Sequence, residues 1–321
     1  LVGSEMCLRD RMEASGGCPV VLEQFVDSLP IPLPAAPETG TSGGAAGYRF
    51  GMQEVTQQLH RDLPATTVWG YGVRPDPYVP PTPYASYPGP TIEAWADQPV
   101  TVRYFNDLPA THYLNVDTCA HGANDQSSRA VVHLHGGHVK QEYDGYPEAT
   151  FLPGEEAAIC VTEPLTTCIT DLDCPTPGSC DGDGATCTTD GDCVGHGGNE
   201  NCLLCEAGYE YPNTQNASTL WFHDHALGIT RLNVQMGLAG AYLIRDDVED
   251  ALGLPSGAYH VPLVLQDRKF NPDGSYLYPS EWQDMWFGDK VMVNGKVWPY
   301  LDVDQGKYRL LLLNGSGSRV Y

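Results

Sequence analysis

The sequence predicts an all-β fold, a sandwich or barrel of short strands. Three observations predict it. Apolar and polar residues alternate in short runs, the pattern of strands with one face buried. Gly (35) and Pro (26) punctuate those runs, as turns require. Helix-forming runs are scarce. With 321 residues, 41% of them hydrophobic, the chain has material for two domains of ordinary size.

Residues 1–19 hold Cys7 and Cys18 and show no pattern, so they read as an N-terminal extension. Residues 30–47, rich in Pro, Gly and Ala, read as an extended linker or surface strap. Strands follow over Tyr48–Thr56, Thr66–Tyr71 and Thr91–Ala94, with an irregular Pro/Tyr-rich loop over Pro75–Pro90. Val100–Phe105 alternates and ends at the turn Asn106-Asp107. Ala130–His135, Ala157–Val161, Leu220–His225 and Gly237–Arg245 complete a first set of strands. Asp246–Gly257 marks a boundary. Beyond it Val261–Gln266, Lys290–Val293 and Lys307–Leu313 are again strand-like. This divides the chain into a first domain over 20–247 and the start of a second over 258–321. A sandwich domain takes roughly 100 residues, so the second is expected to be truncated here and to continue in a longer protein.

Lys and Arg number 17 against 41 Asp and Glu, a formal charge of -24. A surface so negative repels nucleic acid and anionic membranes and favours solubility. No apolar run reaches the 18 residues of a membrane-spanning helix, and Leu1 is not followed by a basic and then an apolar leader region. Eleven cysteines, eight of them between Cys160 and Cys205, predict disulfides and an extracytoplasmic, oxidising setting. The odd count leaves one thiol free or paired outside the chain. Within 160–206 a weak repeat reads C-x-T-D-x-D-C at Cys168–Cys174 and again at Cys187–Cys193. It reads as a stapled excursion too short for its own core. Its aspartates are oxygen donors of the kind Ca²⁺ takes, although solvated turns account for them more simply.

Two histidine pairs carry the chemistry: His133-Leu134-His135 and His223-Asp224-His225. Side chains alternate across a strand, so residues i and i+2 share one face. Each pair therefore sends two imidazoles the same way, and two such strands facing each other would bring four imidazoles to one cavity. One such pair alone is most simply a coincidence on a surface strand. Both pairs, however, sit among apolar residues: Val131 and Val132, then Trp221 and Phe222. Buried imidazoles are costly without a metal or hydrogen-bond partners, and imidazole suits Cu, Zn, Ni and Fe. Gly136 and Gly137 permit close backbone approach or positive φ beside the site. Asp144 lies a short loop away, where a carboxylate could orient a ligand or move protons, or simply serve as a turn residue before Gly145. His138 sits on the following loop. His60, His112, His121, His196 and His260 are isolated and are read as non-ligands.

At these residues the sequence resembles a known family. VVHLHGG (131–137), DGYPEA (144–149) and WFHDHALGITRLNVQMGLAGAYLIRD (221–246) resemble the spore-coat laccase and bilirubin-oxidase branch of the multicopper oxidases. So do FVDSLPIP (25–32), QLHRDLPATTVWGY (58–71), PGPTIEA (88–94), VNGKVWPYLDV (293–303) and YRLLLLNGSGSRVY (308–321). The resemblance implies cupredoxin-like Greek-key domains, the first complete and the second truncated. It implies copper as cofactor: a type 1 copper that takes electrons from a reductant, and a trinuclear cluster of type 2 and type 3 coppers that reduces O₂ to water. Carried over by motif, His133 looks like a type 2 ligand, His135 and His223 like ligands of one type 3 copper, and His225 of the other. Asp144 takes the place of an acidic residue assisting protonation. The remaining cluster ligands and the type 1 site belong to a C-terminal remainder, which the resemblance makes a necessary partner. No H-C-H occurs in this chain. The implied activity is laccase-like oxidation of phenols, aminophenols or tetrapyrroles, with the chain by itself inactive. Open alternatives are a non-enzymatic copper-binding or copper-tolerance protein, a coat-structure protein, and a metal-ion oxidase.

Overall fold

The computed structural model describes residues 20–160, 178–180, 186–187, 202–203 and 205–321. The expectations for the extension 1–19, the disulfides, the candidate Ca²⁺ aspartates and His196 lie outside the described residues.

In chain order the strands are β1 (Thr39–Gly40), β2 (Ala46–Gln57), β3 (Thr66–Val73), β4 (Gly89–Trp95), β5 (Val100–Asp107), β6 (Val132–His135) and β7 (Ala158–Cys160). Three short strands follow, β8 (Gly178–Cys180), β9 (Thr186–Cys187) and β10 (Cys202–Leu203), then β11 (Cys205–Ala207), β12 (Tyr209–Tyr211) and β13 (Ser218–Asp224). Helix α1 (Thr230–Met236), β14 (Ala239–Arg245) and helix α2 (Asp247–Ala251) precede β15 (His260–Arg268), β16 (Lys290–Val293), β17 (Lys296–Val297) and β18 (Arg309–Asn314).

Two sheets form a sandwich. One runs β1-β2-β5-β12 with β3 on β2; the other runs β4-β14-β13-β6. Alternation creates their inner faces: Tyr48, Phe50 and Met52 of β2, Val100, Val102 and Tyr104 of β5, and Leu220 and Phe222 of β13 are buried. Phe222 joins the sheets, meeting Phe50 and Tyr71 edge-on at ring-centroid distances of 5.6 and 5.0 Å, the geometry that the aromatic quadrupole favours. Burial of such side chains is the main favourable term holding the sheets together.

Of the two readings for 30–47, linker or strap, the structure shows a strap: the segment around Leu33–Ala35 lies against the edge of the second sheet. Ala35 N–H donates to Thr91 O (2.7 Å), and Thr91 N–H to Leu33 O (3.0 Å). It thus covers backbone groups that an open edge would expose. The cysteine-rich excursion leaves on β7 and returns on β11, which pair antiparallel with Cys160 opposite Cys205. Its two ends therefore meet at one place, and β6 and β13 pair without interruption.

A third sheet, in the order β17-β16-β15-β18, follows. Asn294 and Gly295, at φ 49° and 77°, turn β16 into β17, a two-residue connection that needs positive φ at both positions. The Tyr87 hydroxyl on the sandwich bonds the Gln266 side chain on β15. Arg268 donates through Nη2 to Val234 O at the end of α1 (2.9 Å).

Strand bounds fall within a few residues of those the alternation predicts. The first histidine strand starts at Val132 rather than Ala130 because Ala130 bonds Phe151 instead. Helix α1 and strand β12 have no counterpart in the expected elements. Seven residues make α1 too short to show a helical period, and β12 is a three-residue strand.

Candidate metal centre

Strands β6 and β13 are neighbours in one sheet, antiparallel, with His133 opposite His223 and His135 opposite Trp221. The sequence expectation had two strands facing each other. Pairing within a sheet replaces this, because antiparallel neighbours already bring opposite side chains to one face. His225 lies one residue past β13, and its N–H donates to Val131 O (2.8 Å), which continues the ladder.

The four rings converge. Ring-centroid separations are 5.5 Å for His133 and His135, 5.5 Å for His133 and His223, 5.0 Å for His133 and His225, and 5.4 Å for His135 and His223. Among the described residues, one group of His, Cys, Asp or Glu has ligand atoms close enough to share an ion. It is His133, His135 and His223, with those atoms within 4.8 Å of one another. Trp221 lies over His135 and His223, at 5.7 and 4.1 Å between centroids, and restrains both rings.

Hydrogen bonds set which nitrogens are free. His133 Nδ1 faces Asp144 O at 2.5 Å, and His223 Nδ1 faces Asp224 O at 2.7 Å. A carbonyl oxygen only accepts, so both Nδ1 atoms carry the proton and both Nε2 atoms keep an unprotonated lone pair. His135 Nδ1 and His223 Nε2 stand 3.2 Å apart, a spacing that fits two nitrogens each about 2.0 Å from one shared ion. The buried Nδ1 of His225 has no hydrogen-bond partner, which leaves it unsatisfied unless it meets a ligand or an ion. The donor set therefore fits a borderline transition metal.

Electrostatics favours lone pairs over protons. Burial pushes His223 down to about 3. Burial also lowers His135, with the neighbouring His133 adding to the shift, and lowers His225 in the same way. Neutral imidazole is the form that binds metal.

Asp144 stands beside His133, with its carboxylate Oδ1 3.3 Å from His133 Nδ1 in addition to the carbonyl contact. It closes the 3₁₀ turn Gln141–Tyr143 and precedes Gly145, at φ +78°. A Cβ at Gly145 would fall 2.2 Å from Val132 O, so glycine is what lets this loop lie against β6. Gly136 has φ +87°, as expected beside the first pair.

The isolated histidines stay outside this group. His60 is buried and satisfied by Glu23 O (2.8 Å) and Asp62 N–H (3.1 Å). His121 and His138 are exposed, and His260 is half-buried. His112 is buried but not isolated. Its Nε2 donates to Asn233 Oδ1 (3.0 Å), and its Nδ1 accepts from Leu114 N–H (2.9 Å). Asp224 and Asn233 escaped the sequence reading of the site, and Trp221 entered it only as an apolar neighbour of the second pair. Asp224 carried a signal, since a charged residue alternating with two inward histidines must point into the opposite, apolar face. Asn233 lies on the unforeseen helix. Cys119 is exposed and free.

Comparison with known proteins agrees with this geometry. Residues 205–249 match the family model described as multicopper oxidase. The chain is 37% identical to a laccase of Bacillus subtilis, over 94% of this chain and 51% of that protein. It is 38% identical to a laccase of Haloferax volcanii, over 96% of this chain and 45% of that one. In fold it resembles the crystal structure of a multi-copper oxidase from Pediococcus acidilactici, with TM-score 0.60 at 21% identity, covering 95% of this chain and 48% of that one. The chain spans about half the length of the curated relatives it matches. From a laccase-like sequence over nearly its whole length, and strands that bring two histidine pairs to one face, it follows that the chain belongs to the multicopper oxidase family.

Proposed function

We propose that this chain supplies half of an oxygen-reducing copper site to a laccase-like oxidase. The convergence of four imidazoles, with the Nε2 atoms of His133 and His223 left unprotonated because their Nδ1 atoms face backbone carbonyls, carries the reading. Copper is the metal of the family, and bound copper would supply a centre that takes electrons one at a time and passes four to O₂. In this reading His133 holds the type 2 copper, His135 and His223 share one type 3 copper, and His225 reaches the other. The 3.2 Å approach of His135 Nδ1 and His223 Nε2 supports the shared assignment. Asp144 holds the His133 tautomer through its carbonyl and offers an exposed carboxylate beside the site to move protons.

The wider reading follows. The intact protein would oxidise phenols, aminophenols or tetrapyrroles, with electrons entering at a type 1 copper held by a C-terminal remainder. Residues 20–247 would be one cupredoxin domain and 258–321 the start of a second. The outer face of β18, with Leu310 and Leu312 exposed, supports a continuation that covers it. An extracytoplasmic location is part of this proposal and rests on the cysteine density of 160–206.

Oxygen uptake tests the reading. The 321-residue chain should bind Cu(II) yet not turn over a phenolic dye. The protein carrying this chain together with its C-terminal remainder should consume O₂ with such a dye, and His133→Ala or His223→Ala should abolish that uptake. Undiminished uptake in both variants would refute the assignment.

A further inference from the structure

We infer that Asp224 is the positioning residue of the histidine site, acting with Asn233 and His112 from behind the sheet to hold the two pairs in register. The inference rests on the copper reading above. Asp224 lies between His223 and His225 in sequence but points the other way, into the core, where it is fully buried. No Lys or Arg among the described residues forms an ion pair with it. A carboxylate in that position is costly unless donors converge on it, and they do. Oδ1 accepts from Val131 N–H (3.1 Å) and Oδ2 from Ala226 N–H (3.0 Å). The neighbouring Asn233 side chain also favours the charged form of the carboxylate.

The place of these bonds explains their role. Asp224 and Val132 are the last register pair of β6 and β13. One step further, the backbone ladder has no acceptor for Val131 N–H, and the carboxylate takes that place. The bond to Ala226 N–H closes an Asx turn around His225, so the chain turns away just after the last imidazole. One side chain thus ties the residue two positions before His133 to the residue after His225. Asn233, beside the carboxylate, is itself held. Asn233 Nδ2 donates to Arg129 O (3.0 Å), and Asn233 Oδ1 accepts from His112 Nε2 (3.0 Å). The Trp69 ring packs on His112 with centroids 4.4 Å apart. Partners behind ligands fix ligand orientation, and their loss typically weakens metal binding 10–100-fold.

The test titrates the 321-residue chain with Cu(II) alone. Affinity is read by calorimetry, the ligand field by electron paramagnetic resonance, and the segments around Val131 and Ala226 by hydrogen–deuterium exchange without metal. Asp224→Ala is expected to weaken Cu(II) binding about tenfold or more, to alter the nitrogen couplings, and to speed exchange at both segments. Asn233→Ala and His112→Gln, which leave the carboxylate in place, should give smaller shifts in the same direction. They decide the matter if Asp224→Ala fails to fold. Folded variants with wild-type affinity and spectrum would overturn the inference and leave the copper reading standing. A wild-type chain that binds no Cu(II) would overturn the copper reading and take the inference with it.

Discussion

His112 shows how one buried side chain can make stability depend on pH. Burial lowers it to about 4 from the ordinary histidine value of 6.5, against the opposing effect of its bonds to Asn233 and Leu114. The folded state therefore resists a proton that the unfolded chain accepts. Its contribution is fully present above about pH 6.5 and is lost as pH falls toward 4, on the order of 3 kcal/mol for this one group. Thermal midpoints of the metal-free chain should fall over that window. His112→Gln, which cannot be protonated, should flatten the acid limb; an unchanged limb would show that other groups dominate it. His112 also shows why its role was hidden in the sequence. Nothing near residue 112 signals a partner on a helix 121 residues further along the chain.

The element that decides the site is the β6–β13 pair with the loop packed on it. Each H-x-H is a local statement about which face of a strand two rings share. The register of His133 opposite His223 is a property of the pair, and it brings both sets of rings together. Gly145 holds the Asp144 loop against β6 at positive φ and with no room for a Cβ. Gly145→Val should destabilise the chain by roughly 2–4 kcal/mol and loosen the His133–Asp144 contact. Denaturant unfolding with Cu(II) titration would check both, and a variant as stable as the parent would show that the loop is not so constrained. The motif DGYPEA placed Asp144 near the pair in sequence. That it would use its carbonyl as well as its carboxylate depended on how the loop folds back.

Across the whole molecule, the sandwich and the third sheet are joined by buried polar contacts. Arg268 is the centre of that joint. It is fully buried, it donates to Val234 O and Asp267 O (both 2.9 Å), and its guanidinium lies 5.7 and 5.6 Å from the rings of Tyr87 and Tyr276. Arg268→Ala removes those bonds and opens a cavity, so a loss of roughly 3–5 kcal/mol is expected. The third sheet should then unfold ahead of the sandwich, giving two transitions in calorimetry. A single unshifted transition would count against the joint.

Alternation, turn residues and two H-x-H pairs were local, so the sequence by itself determined an all-β chain, most strand positions and the four histidines. Strand periodicity needs only neighbours along the chain, which is why those features were legible. The tertiary structure alone decided that the pairs are adjacent strands of one sheet, that backbone carbonyls at Asp144 and Asp224 select which ring nitrogens carry the proton, and that Asp224, Asn233 and His112 are buried behind the site. Each of these depends on which distant residue ends up opposite another. Register and burial are set by packing of the whole core, and no single stretch of sequence contains that information.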